Sequence, residues 1–258
     1  SRPFMHHVIA ELEKNNLPLE LALLPIVESG YQPYAYSPSK AAGIWQFIPP
    51  TAREYGLSKN WSYDGRRDIL SSTKAAAHFL RDMHRYFKRD WLLAIASYNT
   101  GAGNVRKSIR KANYTIGEKT FWDLNLPRET ELYVPKLIAL RDIIANPGAY
   151  GFRLPKMGNK PTTRFVNISY PIDFYTISVL SGLDEKTVHE LNPGFSGWYF
   201  LPEMQNKLLL PHKNAKLFTK RFAKLSKIIY TNKIHKIIKG DSLSKISRVY
   251  NVSIKSIK

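Results

Sequence analysis

The chain has 258 residues and a mass of 29.6 kDa, room for one large domain or two to three modest ones. Apolar residues at 43% and charged residues at 23% exclude wholesale disorder, and the lack of cysteine excludes a disulfide framework and thiolate chemistry while fitting the cytosol or an envelope compartment equally. The formal net charge is +19 and lies unevenly: residues 1–150 hold 20 basic and 14 acidic side chains, residues 151–258 hold 19 and 6, and Lys207 to Lys239 contains ten basic residues and no acid. A basic face of this kind suits a polyanion such as nucleic acid, anionic lipid or an anionic wall polymer, or else is a solvated surface kept for solubility.

In chain order, residues 3–15 predict a short helix. Residues 17–29 are apolar around most of a helical circumference, the pattern of a buried helix. The longest apolar stretch, 17–27, carries Glu20 and Pro25 and falls well short of the ~18–20 residues of a membrane span, so the chain is expected to be soluble with no transmembrane segment. It opens on Ser1 rather than Met, which fits a signal or anchor removed by processing. Residues 68–88 form the clearest amphipathic helix, with Ile69, Ala76, Phe79, Leu80, Met83 and Phe87 at three- and four-residue spacings. Asp90 is placed to cap an apolar helix running to about Tyr98, with Gly101 and Gly103 ending it. Residues 128–145 read as another helix, stopped by Asn146-Pro147-Gly148. No alternating strand pattern appears in this half, so an all-α domain is expected over residues 1–150.

The pattern then changes. Residues 151–163 have a linker composition of Gly, Pro and Lys. Residues 164–170 alternate as a strand does, two short helical stretches follow, and Leu208-Leu209-Leu210-Pro211 reads as a second strand. Residues 214–227 place Leu217, Phe218, Phe222 and Leu225 in a stripe among lysines, a short helix. A shift of 69 positions superposes Phe174 on Leu243, Ile177 on Ile246, Ser178 on Ser247, Leu180 on Val249, Leu183 on Val252 and Val188 on Ile257, and brings the turn residues Gly182 and Asn251 together. The expected second half is thus a module at 164–212, a basic connecting helix at 213–232, and a second copy at 233–258 that stops before its closing strand.

Glu28 ends the apolar run Leu21-Ala-Leu-Leu-Pro-Ile-Val27. Desolvation favours its protonated form, and the helix C-terminus disfavours its charge. A raised carboxyl pKa is what a general acid for glycosidic cleavage needs, although a surface Glu at a fraying helix end fits the same position. Between a Gly and a Pro pair stand Trp45, Gln46 and Phe47. Aromatic faces pack on sugar rings and a Gln amide both donates and accepts, while a tight turn with core aromatics is the plainer reading. Ser97-Tyr98-Asn99-Thr100-Gly101-Ala102-Gly103 ends an apolar helix in polar groups and reads first as a C-cap, since two glycines without a preceding strand or a following Lys make a weak phosphate loop.

Glu28-Ser29, the turn from Gly43 to Gln46, the Tyr98-Asn99 pair, and Glu129-Thr130 followed by Tyr133-Val134 come in the order and spacing of the soluble lytic transglycosylase domain, which residues 10–150 resemble. Ile44 and Ser97 stand where that family usually has Leu and Ala. The stretch Lys239-Gly-Asp-Ser-Leu-Ser-Lys-Ile-Ser-Arg-Val-Tyr-Asn-Val252 resembles the start of a LysM peptidoglycan-binding module, and the earlier copy, through Leu191-Asn-Pro-Gly194, a degenerate one. The resemblance implies an all-α lysozyme-like catalytic domain followed by small βααβ LysM-like modules, the last incomplete. It implies non-hydrolytic cleavage of the bond between N-acetylmuramic acid and N-acetylglucosamine in peptidoglycan, leaving 1,6-anhydro ends. By position, Glu28 would be the sole acid and base, and Ser29 would orient it or touch substrate. Gln46, Phe47, Tyr98 and Asn99 would line the sugar cleft, and Tyr133 would bring its hydroxyl to Glu28.

The implied partner is the peptidoglycan glycan strand, the implied place the periplasm or cell envelope, with any outer-membrane anchor on an N-terminal segment outside this sequence; a monomer is expected. No cofactor is expected. No metal is expected either, because His6, His7, His78 and His84 share no ligand geometry. Glu129 suits a structural role at a helix start, where acids complement the dipole. The rival functions are a hydrolytic muramidase on the same fold, a non-catalytic wall-binding scaffold and, last, a nucleic-acid binder, for which the charge has no accompanying groove-reading motif or stacking platform.

Overall fold

The computed structural model describes residues 3–112, 120–155, 160–225, 235–250, 254 and 257. It divides into two compact units, residues 1–220 and 221–258.

The first unit opens with α1 (Met5–Lys14), which buries Val8 and Leu12. The expected single helix over 17–29 is two pieces, a 3-10 turn at Leu19–Leu23 and α2 (Leu24–Ser29). Pro25 explains the break: it lacks an N–H to continue a preceding helix but suits a first turn. Gly30, left-handed at φ 60°, ends α2. A short α3 (Pro49–Glu54), unforeseen in the sequence, starts on its proline pair in the same way.

The helix α4 (Ile69–Tyr86) matches its amphipathic pattern, with the Asp68 carboxylate accepting from Ser71 N at its N-terminus. In α5 (Trp91–Thr100) Asp90 accepts from Leu93 N, and residues 93–97 are buried. Gly101, at φ 84°, ends α5 as expected, but Gly103 does not act as a stop. It lies exposed inside a further helix, α6 (Ala102–Lys111), held by Val105 and Ser108 beneath it. A solvent-facing Gly costs a helix only about 1 kcal/mol. α7 (Arg128–Ala145) then packs on α5 and α2.

Next comes a small α/β module. Strand β1 (Thr163–Asn167) pairs antiparallel with β4 (Lys207–Pro211), Phe165 opposite Leu209. A second pair, β2 (Ile172–Asp173) with β3 (Tyr199–Phe200), went unforeseen because two-residue strands leave no period. Between the strands lie α8 (Phe174–Ser181), capped by Asp173, and α9 (Glu185–Leu191), capped by Asp184. The sequence thus has the fold class expected of it: helical first, then βααβ.

The module does not stand off from the helices. Leu191 and Leu209 belong to the same buried cluster as Leu12, Trp45 and Leu80. Asp64 N donates to Gly194 O at 2.7 Å, and Gln205 Nε2 donates to the Asp68 carboxylate at 3.1 Å. A Cβ on Gly194 would stand 2.8 Å from Asp68 Cβ, so only glycine allows this approach. His7 and Thr163 bond at 2.9 Å, tying α1 to β1.

Helix α10 (His212–Leu225) buries Ala215 and Phe218 among exposed lysines. The basic connecting helix expected at 213–232 is seen as far as Leu225; the rest lies outside the described residues. In the second unit, α11 (Leu243–Tyr250) matches α8 in length and in the 69-residue register, with Ile246 buried as Ile177 is. No strand precedes it at 235–238; instead His235 bridges Asp241, at 2.8 Å, and the Tyr250 hydroxyl, at 3.0 Å. The repeat positions Asn251 and Val252 fall outside the described residues. No helix among the described residues is long and apolar enough to cross a membrane.

Candidate active site

Four chain segments meet around Glu28: α2, the turn at 43–47, the C-terminal end of α5 and the first turns of α7. Each joint is a hydrogen bond. The Ser29 hydroxyl reaches Ile44 O at 2.9 Å and Pro25 O at 3.2 Å, so it fastens α2 to the turn. Tyr98 on α5 donates to Trp45 O at 2.6 Å. Asn99, next on α5, donates to Glu129 Oε1 at 3.0 Å and accepts from the Thr130 hydroxyl at 2.7 Å, fastening α5 to α7. Tyr133 donates to Glu28 Oε1 at 2.5 Å and closes the ring of contacts.

The turn itself is strained into place. Gly43 adopts φ 83°, and a Cβ there would overlap Arg66 O at 1.9 Å. Gln46 is left-handed at φ 49°. Its amide nitrogen donates to Gly43 O at 2.8 Å and to Ala35 O at 3.3 Å, so both amide protons hold the loop and the amide oxygen is left to accept. Beneath lies Arg66, 3% exposed, gripping both Asp64 oxygens at 2.9 and 2.7 Å and donating to Lys40 O at 2.6 Å and Phe47 O at 3.4 Å. Nothing in a lone Asp-Gly-Arg run marked this clamp in the sequence.

The six residues Glu28, Ser29, Gln46, Tyr98, Asn99 and Tyr133 are brought together. Phe47 is not offered to a ligand: it is 3% exposed, and its ring packs edge-on to Tyr98 at 6.1 Å. Trp45 is fully buried, its indole N–H on Thr73 Oγ1 at 3.0 Å. Both rings fill the core under the turn, because a turn anchored by buried carbonyl contacts has its side chains driven inward.

Burial is the main influence on Glu28 and pushes its carboxyl up to about 7; the Tyr133 hydrogen bond pulls the other way, and the nearby charge of Glu129 pushes up again. Burial, then the Glu28 charge, hold the Tyr98 and Tyr133 hydroxyls well above the usual tyrosine range, so both remain donors. Glu129 is exposed in the first turn of α7, yet it acts on Glu28 electrostatically, a role beyond the helix-start one its sequence position suggested. Among the described residues, no group of three or more His, Asp or Glu is placed to hold a metal ion.

The site therefore presents one half-buried, proton-retaining carboxyl among neutral hydrogen-bonding side chains, with the Glu129 carboxylate beyond Asn99. Two family models match the chain: residues 7–121 match the transglycosylase SLT domain, and residues 162–227 match the LysM-like domain of lytic transglycosylase MltD. The chain thus carries an SLT domain joined to a LysM-like domain of the MltD type. Over 269 aligned residues it is 36% identical to membrane-bound lytic murein transglycosylase D of Escherichia coli K12, an alignment covering all of this chain and 59% of that protein. A putative tributyltin chloride resistance protein of Alteromonas sp. strain M-1 is 41% identical over 120 residues, 45% of this chain and 58% of that one. The chain thus spans a little under three fifths of the length of either relative. Among solved structures, the 70 kDa soluble lytic transglycosylase of Escherichia coli aligns with TM-score 0.45 and 21% identity, over 55% of this chain and 24% of that one.

Proposed function

We propose that the chain is a peptidoglycan lytic transglycosylase in which Glu28 serves first as acid and then as base. The observation that carries this reading is the Glu28 carboxyl, pushed to about 7 and hydrogen-bonded by Tyr133, amid groups that are otherwise neutral except for Glu129. A carboxyl that keeps its proton near neutrality can deliver it to the glycosidic oxygen as the C1–O bond breaks. The resulting carboxylate then takes the proton of the muramic C6 hydroxyl as that oxygen bonds to C1. The attacked C1 and the attacking C6 hydroxyl belong to one sugar, while the glycosidic oxygen leaves with the other, so the closure gains the high effective concentration of a held nucleophile, and no water is consumed.

In this reading Gln46, Tyr98 and Asn99 shape the sugar site, Ser29 and Tyr133 orient Glu28, and Phe47 supports the turn from below. Residues 1–150 hold the chemistry, 151–163 link, 164–212 form the LysM-like module, 213–232 connect, and 233–258 begin a second module. The substrate is the glycan strand, the setting the periplasm or cell envelope, and the working form a monomer. The names of the SLT and MltD family models and of the Escherichia coli relative support the class of substrate.

Glu129 marks the one alternative, a hydrolytic muramidase, because a second carboxylate near the acid could activate water. Mass analysis of muropeptides released from purified peptidoglycan decides between them. The proposal expects products one water lighter than muramidase products and resistant to borohydride; reducing ends as the main product would assign Glu129 as the base.

A further inference from the structure

Among the described residues of the first unit, the most exposed large rings gather where the module meets the helices. Trp198 is 82% exposed, Trp61 71% and Tyr175 65%. Trp is ordinarily well buried, so open indoles in one place mark a surface that meets something. Trp61 comes from the loop before α4, Tyr175 from the first turn of α8, and Trp198 from the strand end that leads into β3.

Backbone bonds hold the three together. Asn60 Oδ1 accepts from Ser62 N at 2.9 Å and Tyr63 N at 2.8 Å, which fixes the turn that carries Trp61. Ser196 N donates to Ser62 O at 2.9 Å and its hydroxyl to Trp61 O at 3.4 Å. A Cβ on Gly197 would stand 2.9 Å from Ser62 Cβ and 3.4 Å from Trp61 Cζ3, so the missing side chain lets the strand carrying Trp198 run against the Trp61 ring. Phe174 N donates to Trp198 O at 3.0 Å, which sets Tyr175 beside Trp198. The backbone segments that carry the three rings are thus held side by side.

We infer that Trp61, Trp198 and Tyr175 form a glycan-binding platform shared by the catalytic part and the LysM-like module, which grips the strand away from Glu28. The inference rests on the transglycosylase reading for the identity of the strand. Pyranose rings present faces of C–H groups that lie flat on an indole, while their hydroxyls and N-acetyl arms need hydrogen-bonding neighbours. The exposed Asn60 and Ser196 supply such neighbours. Segments 60–62, 173–176 and 195–199 contain no Lys or Arg, and the flanking Lys59 is paired with Asp64 at 3.5 Å, so the patch has little of the free positive charge that an anionic lipid surface would need. Because the platform exists only where the two parts touch, neither part alone would carry it.

The test is cosedimentation with purified sacculi, using the full chain in a Glu28→Gln background so that no cleavage changes the pellet. The Trp61→Ala, Trp198→Ala pair should weaken binding by about tenfold or more, as loss of well-placed Trp anchors does. Replacing both by Phe, which keeps a ring face, should restore most of it. In the Glu28-intact chain the same Ala pair should leave turnover of a short soluble muropeptide and the melting temperature unchanged. Undiminished sacculus binding by the Ala pair would overturn the inference, as would a loss seen equally on phosphatidylglycerol vesicles. A parent chain that binds sacculi through these rings yet releases no muropeptide would overturn the transglycosylase reading and leave the platform standing.

Discussion

The Tyr133 hydroxyl donates to Glu28 Oε1 at 2.5 Å, joining residues 105 positions apart on α7 and α2. This bond is the one influence that favours the Glu28 carboxylate, and it is outweighed by burial. The carboxyl therefore keeps a proton up to about neutrality and has a donor ready for the charge that forms when the proton leaves.

That balance makes stability depend on pH. A carboxyl raised from 4.5 to about 7 in the fold favours the protonated native state. Its contribution is fully present below about pH 4.5 and is lost as pH rises through 7, by roughly 3 kcal/mol. Glu28→Gln cannot lose a proton, so it should match the parent at pH 4 and exceed it by up to that amount at pH 8. Urea titrations at the two pH values measure it; equal differences at both would mean Glu28 is not desolvated. The same variant should lose lytic activity by ~10²–10⁴-fold or more.

Tyr133→Phe should remove the donor and let the Glu28 pKa climb further. The high-pH limb of the cleavage profile should move upward, and the plateau rate should fall by about 10- to 100-fold, the worth of a hydrogen bond to a charged group. A fall in rate with an unmoved limb would assign Tyr133 to packing alone.

Glu129→Gln should move that limb the other way. It removes a like charge that raises Glu28, while its amide oxygen can still accept from Asn99. If Glu129 only tunes Glu28, the products stay anhydro and the profile shifts to lower pH; product analysis across the pH range reads both.

Arg66→Ala should destabilise the fold by about 3 kcal/mol or more, because it leaves Asp64 and two loop carbonyls without their shared donor. Arg66→Lys should recover part of this, since an ammonium cannot grip both carboxylate oxygens and two carbonyls at once. Thermal unfolding of the three forms gives the order; Ala equal to the parent would remove the clamp from the account.

Long periodic or capped elements were legible in the chain. α4 announced itself by its apolar spacing, α5 by Asp90, and β1 and β4 by alternation or a short apolar run. The breaks inside 17–29 and the helix after Gly101 were not, because one Pro or Gly is read differently by a chain whose neighbours bury one side of it. Glu28 stood out as a carboxyl on an apolar run. Arg66 did not, since its partners Lys40 and Phe47 offer only carbonyl oxygens, which every residue has. The buried place of Phe47 was equally hidden: an aromatic in a turn looks the same whether it faces sugar or core.

The approach of Gly194 to Asp68 has a further result. The capping carboxylate of α4 is also the acceptor for Gln205, so the start of that helix and the edge of the LysM-like module share one oxygen. With Leu191 and Leu209 inside the common core, the covalent link at 151–163 is not what keeps the module in place. A chain nicked by protease in that stretch should run as one particle on a sizing column and come apart only in denaturant. For the same reason the module is poor material for recombination: grafted onto another helical domain it would bring its own half of a seam and find no match.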